Sequence, residues 1–426
     1  MNSCFSIRIA TLVLALAGRA IAADPVSFKS DIAPIFLAQC QSCHGPKKAK
    51  GKFRLDTYEF AIKAGADELH YRVSTDDDDD LMPPDSDPLS AEQISLIKRW
   101  MDEGAKFDGD DPAASLASII PTATHPPAPE FYARPIPITA VAFSPDGQQL
   151  LASGYREITV WSVATGKLER RIGNLPERVH SIDLSPDGTT IAAAGGIPGR
   201  LGEVRILEFE SGEVSQILHR IDDLCFSARF SPDGTRLASG GADGTVRIFE
   251  TEGWSEEIVF SNHSNWVNAV CWNPDGTKIA SASRDHTAKV FDLESKKRLT
   301  SYTGHNESIY AVWFHPTAED VFTGAADRKL MRWRINDGGT VREYFQTPET
   351  IYGIAALTSE RLVVSSGESA NFEDGNKCAN FKATALSIAV SSDGTRLAAG
   401  SEDGRVRIWD VEKIDESLIE FVAAPK

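Results

Sequence analysis

Ala140-Val141-Ala142-Phe143-Ser144-Pro145-Asp146-Gly147 reads as a short strand running into a tight turn. Apolar and small side chains fill the strand. Proline presets φ, aspartate bonds to amides beyond it, and glycine accepts a positive φ, so Pro-Asp-Gly supplies the turn. The stretch returns, altered but in register, at Ser181–Gly188, Ser227–Gly234, Ala269–Gly276, Ala311–Ala318, Gly353–Glu360 and Ser387–Gly394. Successive starts differ by 41, 46, 42, 42, 42 and 34 residues, giving seven units. Within a unit a second and a third alternating run follow, such as Val246-Arg247-Ile248-Phe249 and Val406-Arg407-Ile408-Trp409. A single small sheet cannot bury both of its faces, so such units must stack on their neighbours.

A period near 42 residues lies in the range of propeller blades. Gly304-His305 precedes the first strand of one unit, and Thr323, Asp327 and Trp333 follow it; His263, Ser281, Asp285 and Phe291 occupy the corresponding places one unit earlier. On these residues the segment 136–426 resembles a WD-repeat β-propeller, which implies seven blades and a surface for protein partners. The same resemblance makes the His and Asp residues a buried polar network inside each blade rather than catalytic groups, because buried polar groups must be paired. Two units depart from the pattern. The second carries an insertion at Gly195–Gly202, and the sixth lacks the Pro-Asp-Gly turn and is expected to be irregular over Gly367–Lys382. Leu418–Ala423 offers the last unit an outer strand of its own, and whether the segment near Phe131–Ile138 closes the ring stays open.

Toward the N-terminus, residues 108–137 hold seven prolines among acid, Ala and Ser, and 108–135 is expected to be a semi-rigid linker. Ahead of it stands Cys40-Gln41-Ser42-Cys43-His44, the pattern of c-type haem attachment. Two thiols three positions apart would each bond to one porphyrin edge, and His44 would ligate the iron. Phe28, Ile32, Ile35, Phe36 and Cys40 have helical spacing and predict a helix leading into that pattern, ended by Gly45-Pro46. Further helices are expected from Tyr58 to Ala64, from Glu68 to Val73, and from Ser90, where Gln93 completes a capping box, to Gly104. For the sixth iron ligand Met82, Met101 and His70 qualify. Met101 sits on the apolar stripe of the last helix, whereas Met82 stands in Leu81-Met82-Pro83-Pro84, a loop that two prolines stiffen. Met82 is the expected ligand and His70 the alternative.

Phe28–Phe36, Cys-x-x-Cys-His-Gly-Pro, Lys50–Asp56, Arg72-Val73, Met82-Pro83-Pro84 and Trp100–Ala105 then follow in order. This region is similar to the planctomycete-type cytochrome c domain, and the resemblance implies one covalent haem c with the methionine of Met-Pro-Pro as distal ligand. The run Asp76–Asp80 just before Met82 reads as a solvated turn. Lys47, Lys48, Lys50 and Lys52 would orient a redox partner or simply be solvated.

The first 23 residues read as an export signal: Arg8, an apolar run Ile9–Gly18, and Ala20-Ile21-Ala22 before the cleavage point. Residues 24–107 would then form the haem domain, in the periplasm or outside the cell, with no membrane span after signal removal. Cys4 would leave with the signal. Cys225, Cys271 and Cys378 lack metal-ligand spacing; buried thiols are the first reading and one disulfide plus one free thiol the second, and the sequence leaves both open. With a formal net charge of −17, nucleic acid is an unsuitable partner. The chain therefore reads as multidomain: a small all-α cytochrome c-like domain followed by an all-β, seven-bladed propeller. It is expected to be an exported single-electron carrier docked through its propeller. Two alternatives are a haem-linked oxidoreductase with its active site in the propeller, and a haem-based redox sensor or scaffold. A second Cys-x-x-Cys-His, a P-loop, a nucleophile elbow and a zinc signature are all absent from the sequence.

Overall fold

In the computed structural model, residues 25–45, 51, 53–75, 77, 80–83, 88–109, 111–114, 116–119, 124–358, 361–372, 374–413 and 417–423 are described. The export signal with Cys4, the four lysines at 47, 48, 50 and 52, Pro84, three aspartates of the acidic run and the side chain of Cys378 lie outside the described residues. The chain divides into two units, residues 1–121 and 122–426.

The first unit is helical. Backbone winds continuously through Phe28–Ile32, Ala33–Ile35, Phe36–Cys40 and Gln41–His44, the first and third segments as π-type turns. The expected uniform α-helix is thus broken near Pro34, which has no N–H to give to the ladder. Helices follow at Tyr58–Ala64, Ala66–Ser74 and Ala91–Asp102. The last begins with the capping box: Gln93 N–H donates to Ser90 Oγ while Gln93 Oε1 accepts from Ser90 N–H. Phe28 is fully buried, with ring centroids of Phe36, Tyr58, Trp100 and Phe107 between 5.0 and 6.2 Å from its own. Tyr58 O–H donates to Ala105 O and Trp100 Nε1 to Lys106 O, both at 2.9 Å, so each buried aromatic has its polar end satisfied. Leu116, also fully buried, belongs to this core, and its amide donates to Asp56 O.

The second unit contains seven four-stranded antiparallel sheets, each built from four consecutive strands. They are blades 1 to 7, starting at Val141, Arg178, Cys225, Val267, Ile309, Ile351 and Ala385. The repeated turn explains the repeated sequence. Ser144 Oγ donates to Asp146 Oδ1 at 2.5 Å and accepts from Gln149 N–H, while Asp146 Oδ1 also accepts from Gln148 N–H. The same arrangement recurs at Ser185/Asp187, Ser231/Asp233, Asn273/Asp275 and Ser391/Asp393. The glycine that follows each aspartate has positive φ, from +67° to +74°. Between every two neighbouring blades lies an apolar cluster, seven in all including the one joining blade 7 to blade 1.

That last cluster closes the ring, and blade 7 has its own outer strand, Ile419–Val422. Closure is by packing rather than strand exchange. Ile138 is fully buried, its amide donates to Ser401 O at 3.1 Å, and Ser387 Oγ donates to its carbonyl at 3.2 Å. The insertion in blade 2 is not an irregular loop. It lengthens one hairpin, pairing Gly195 with Glu203, Gly196 with Gly202 and Ile197 with Leu201. The stretch expected to be irregular in blade 6 holds two paired strands, Ser369–Phe372 and Lys377–Asn380.

The proline-rich segment is anchored rather than free over much of its length. Residues 111–119 lie in the first unit. In the second unit His125 Nε2 meets Glu203 Oε1 at 2.5 Å, and Arg205, fully buried, binds the same carboxylate at 2.6 Å. Burial opposes ionisation of Glu203, yet hydrogen bonds from His125 and Arg205 hold it down at about 2. Arg171 binds Pro129 O and Glu130 O, and Tyr132 O–H donates to Glu157, which is also buried.

Candidate functional site

Cys40 enters and Gln41–His44 completes the final helical turn of the leading segment, so the two thiols and the imidazole come from adjacent positions of one turn. Cys40 packs against the aromatic core, and burial, with Cys43 second, pushes its thiol up to about 12. His44 is fixed at both ends. Its carbonyl accepts Leu55 N–H at 2.8 Å, and its ring Nδ1 stands 3.1 Å from Phe53 O. A carbonyl can only accept, so Nδ1 carries the proton in that bond and Nε2 keeps a lone pair for a metal. Phe53 also sets its ring edge-on to the imidazole, at 5.3 Å and 78°. The role of Phe53–Asp56 is therefore to hold His44: Phe53 gives the acceptor, buried Leu55 ties the backbone, and buried Asp56 receives Arg54.

Met82 is half-buried. Its amide donates to Arg72 O at 2.7 Å. Arg72 Nε donates to Glu68 at 2.8 Å while its other arm pairs with Asp80, and Tyr71 O–H reaches Asp80 Oδ2 at 3.0 Å. The acidic run is thus more than a solvated turn at its C-terminal end. Asp77 O accepts the amides of both Asp80 and Leu81, and Asp80 is bonded into helix Ala66–Ser74. His70, the alternative ligand, lies on that helix, where Ser74 Oγ donates to its carbonyl at 2.7 Å. Met101 is half-buried against the core.

Two thiols and an imidazole on one helical turn, and a thioether on a tied loop, are side-chain types that suit covalently held haem iron. The sequence does not mark Phe53 O and Arg72 O, since a backbone acceptor has no side-chain signature, nor the Tyr71–Asp80 and Arg72–Asp80 contacts, which depend on the loop folding back onto its helix.

In the propeller, His263 Nδ1 lies 2.8 Å from Asp285 and Nε2 2.7 Å from Ser281 Oγ. His305 repeats this with Asp327 at 2.8 Å and Thr323 at 2.9 Å. Burial lowers both imidazoles below their ordinary value against the pull of the aspartates, so each is a neutral donor–acceptor bridge. Burial raises Asp285, but hydrogen bonds from His263 and Thr287 hold it far below the usual carboxylate range. Each set has its partners inside one blade, as a structural network does. Trp333 is the exception to the expected pattern: it stacks on Tyr302 at 5.1 Å, and its Nε1 has no partner among the described residues.

The inner strands of all seven blades surround a channel of about 1020 Å³. Its wall carries His180, Phe226, Tyr310 and Tyr352, and an Asp183–Arg229 pair at 3.5 Å. Burial, then Arg178, pushes His180 down to about 4. Cys225 and Cys271 are free thiols that burial pushes up, Cys271 to about 11.

A family model described as Planctomycete cytochrome C matches residues 40–86, which contain Cys40, Cys43, His44 and Met82. A second, WD domain, G-beta repeat, matches 131–162, 215–250, 254–292, 296–334 and 375–410. The second and sixth units, the two that depart from the repeat, contribute the stretches between these matches. Among curated proteins, the chain is 33% identical over 116 residues to a serine-threonine kinase receptor-associated protein of Dictyostelium discoideum, covering 26% of this chain and 37% of that one. It is 31% identical over 128 residues to the small ribosomal subunit protein RACK1z of Oryza sativa subsp. japonica, covering 28% and 36%. With human WD repeat and SOCS box-containing protein 1 the figures are 30% over 108 residues, 25% of each. The chain thus spans little more than a third of the length of the first two of these relatives.

Proposed function

We propose that this chain, which joins a planctomycete-type cytochrome c domain to a seven-bladed WD-repeat propeller, is an exported one-haem electron carrier that docks to a protein partner through its propeller. The observation that carries the reading is the bond between His44 Nδ1 and Phe53 O, which sets the imidazole for iron beside the two thiols. Haem c, when bound, supplies a one-electron couple. Cys40 and Cys43 would hold it covalently, His44 Nε2 would be the proximal ligand, and Met82 Sδ the distal one. A thioether opposite an imidazole raises the reduction potential relative to stronger donors. Cys40 packs against the aromatic core around Phe28 and Trp100, an apolar wall that would shield a bound haem on that side.

The propeller is read as a docking platform because its polar networks are internally paired and its repeats resemble those of proteins such as RACK1z. Export is supported by the signal-like first 23 residues, and among the described residues no helix is long and apolar enough to cross a membrane.

The test is an optical spectrum, oxidised and reduced, of full-length protein matured with haem-attachment machinery. Low-spin haem in wild type that turns high-spin in Met82→Ala is the expected result. High-spin haem in wild type would remove the distal-ligand assignment and with it the electron-carrier reading.

A further inference from the structure

We infer that Arg72 is a positioning residue that clamps the Met82 loop, so that the thioether stays on the distal side against competing ligands. The inference rests on the haem reading above. Arg72 holds the loop by two independent contacts. Its backbone carbonyl accepts Met82 N–H at 2.7 Å, which ties the ligand residue itself to helix Ala66–Ser74. Its guanidinium bridges Glu68, one turn earlier on the same helix, and Asp80, two residues before Met82. Tyr71 adds a third tie, its hydroxyl donating to Asp80 Oδ2 at 3.0 Å. The turn itself closes on Asp77 O, which accepts from Asp80 and Leu81 at 3.1 and 2.9 Å.

The chemistry asks for such a clamp. A thioether is a weak, neutral ligand, and its occupancy depends on how much of the time the loop presents it. A planar guanidinium with fixed donors can hold two carboxylates at once, which a lysine ammonium on a flexible stem does less well. Arg72 and Asp80 are each about a third exposed, with side-chain accessibilities of 35% and 36%, so solvent screens their pairing and the effect is moderate.

The experiment uses full-length holoprotein and imidazole as the competing ligand, titrated by absorbance. The variants are Arg72→Gln, Arg72→Lys and Asp80→Asn. Lys98→Gln is the control, since it removes an exposed ion pair with Asp102 on another helix. Imidazole is expected to bind about five-fold more tightly to Arg72→Gln and to Asp80→Asn than to wild type. In both, the methionine–iron charge-transfer band should weaken. Arg72→Lys should lie between Arg72→Gln and wild type, and Lys98→Gln should match wild type. Should Arg72→Gln not take up haem, Asp80→Asn decides, since it leaves the helix backbone and its core contacts intact. Wild-type imidazole affinity in Asp80→Asn and in any haem-loaded Arg72→Gln overturns the clamp. A wild type without the methionine band instead overturns the ligand assignment on which the clamp rests.

Discussion

Asp285→Ala should destabilise the propeller more than Asp327→Ala, although the two aspartates hold the same place in neighbouring blades. Asp327 accepts from His305 Nδ1, Asn306 N–H and Lys329 N–H. Removing it orphans a buried imidazole and two amides, at a cost of about 2–3 kcal/mol. Asp285 accepts the corresponding three, from His263, Ser264 and Thr287, and the Thr287 hydroxyl as well. It is also the counter-ion of Lys289, whose Nζ lies 3.4 Å away with the side chain only 7% exposed. Burial already lowers the lysine against the pull of Asp285. Without the carboxylate a buried ammonium remains unpaired, which raises the expected cost to about 3–5 kcal/mol. Met331 occupies the position of Lys289 in blade 5, so Lys289→Met should fit. The double variant Asp285→Ala/Lys289→Met should then recover about 1–2 kcal/mol and approach Asp327→Ala. Urea unfolding at neutral pH, followed by circular dichroism, measures all four proteins. Equal losses for the two aspartate variants, within about 0.5 kcal/mol, with no recovery in the double variant, would show that the lysine does not depend on Asp285.

Three further outcomes are expected. Ile138→Ala should cost about 2–5 kcal/mol, because the side chain is fully buried where blade 7 meets blade 1; a thermal melt within a degree or two of wild type would refute closure by packing. Trp100→Ala should cost about 3–5 kcal/mol in the first unit and leave the propeller melt unchanged; loss of the propeller transition would mean the two units do not fold separately. The turn aspartates Asp146, Asp187, Asp233, Asp275 and Asp393 lie below their ordinary value of 3.8, chiefly through hydrogen bonds from Ser144, Ser185, Ser231, Thr277 and Ser391, Asp393 at about 2. A depressed carboxyl contributes stability above its unfolded pKa and loses it as pH falls through the folded one, so the propeller melt should drop between about pH 4 and about pH 2; a flat profile there would contradict it.

The sequence displays most of the propeller because each Ser-Pro-Asp-Gly turn does local work that the next blade repeats. Blade 6 lacks the Pro-Asp-Gly signature between its first two strands, so its third and fourth strands look irregular, although Asp374-Gly375 turns their hairpin, with Asp374 Oδ1 accepting Asn376 N–H. Blade 2 presents its extra length as glycines, which look like a loop, yet Gly195 and Gly196 sit in a ladder where added Cβ atoms would come within 2.0 and 2.1 Å of Arg178 O and Leu201 O. Ring closure is not legible in the sequence because Ile138 stands in a proline-rich stretch with no strand pattern of its own. The same composition conceals the anchoring of 116–119 and 124–135, which depends on Leu116, His125 and Tyr132 finding partners far away in sequence. Around Cys40–His44, residue types and order name the candidate donor atoms. They do not name Phe53 O or Arg72 O, since a carbonyl that fixes a ligand looks the same in every residue.

On the proposed function, Cys40 and Cys43 would bind one haem covalently in a domain that the propeller does not need for folding. Intact mass of the exported, matured chain tests it, with the Cys40→Ala/Cys43→Ala variant beside it. One haem that survives acid extraction is expected on wild type, none on the variant, and the same propeller melt in both. Haem that extracts from wild type, or a propeller that collapses in the variant, would contradict it.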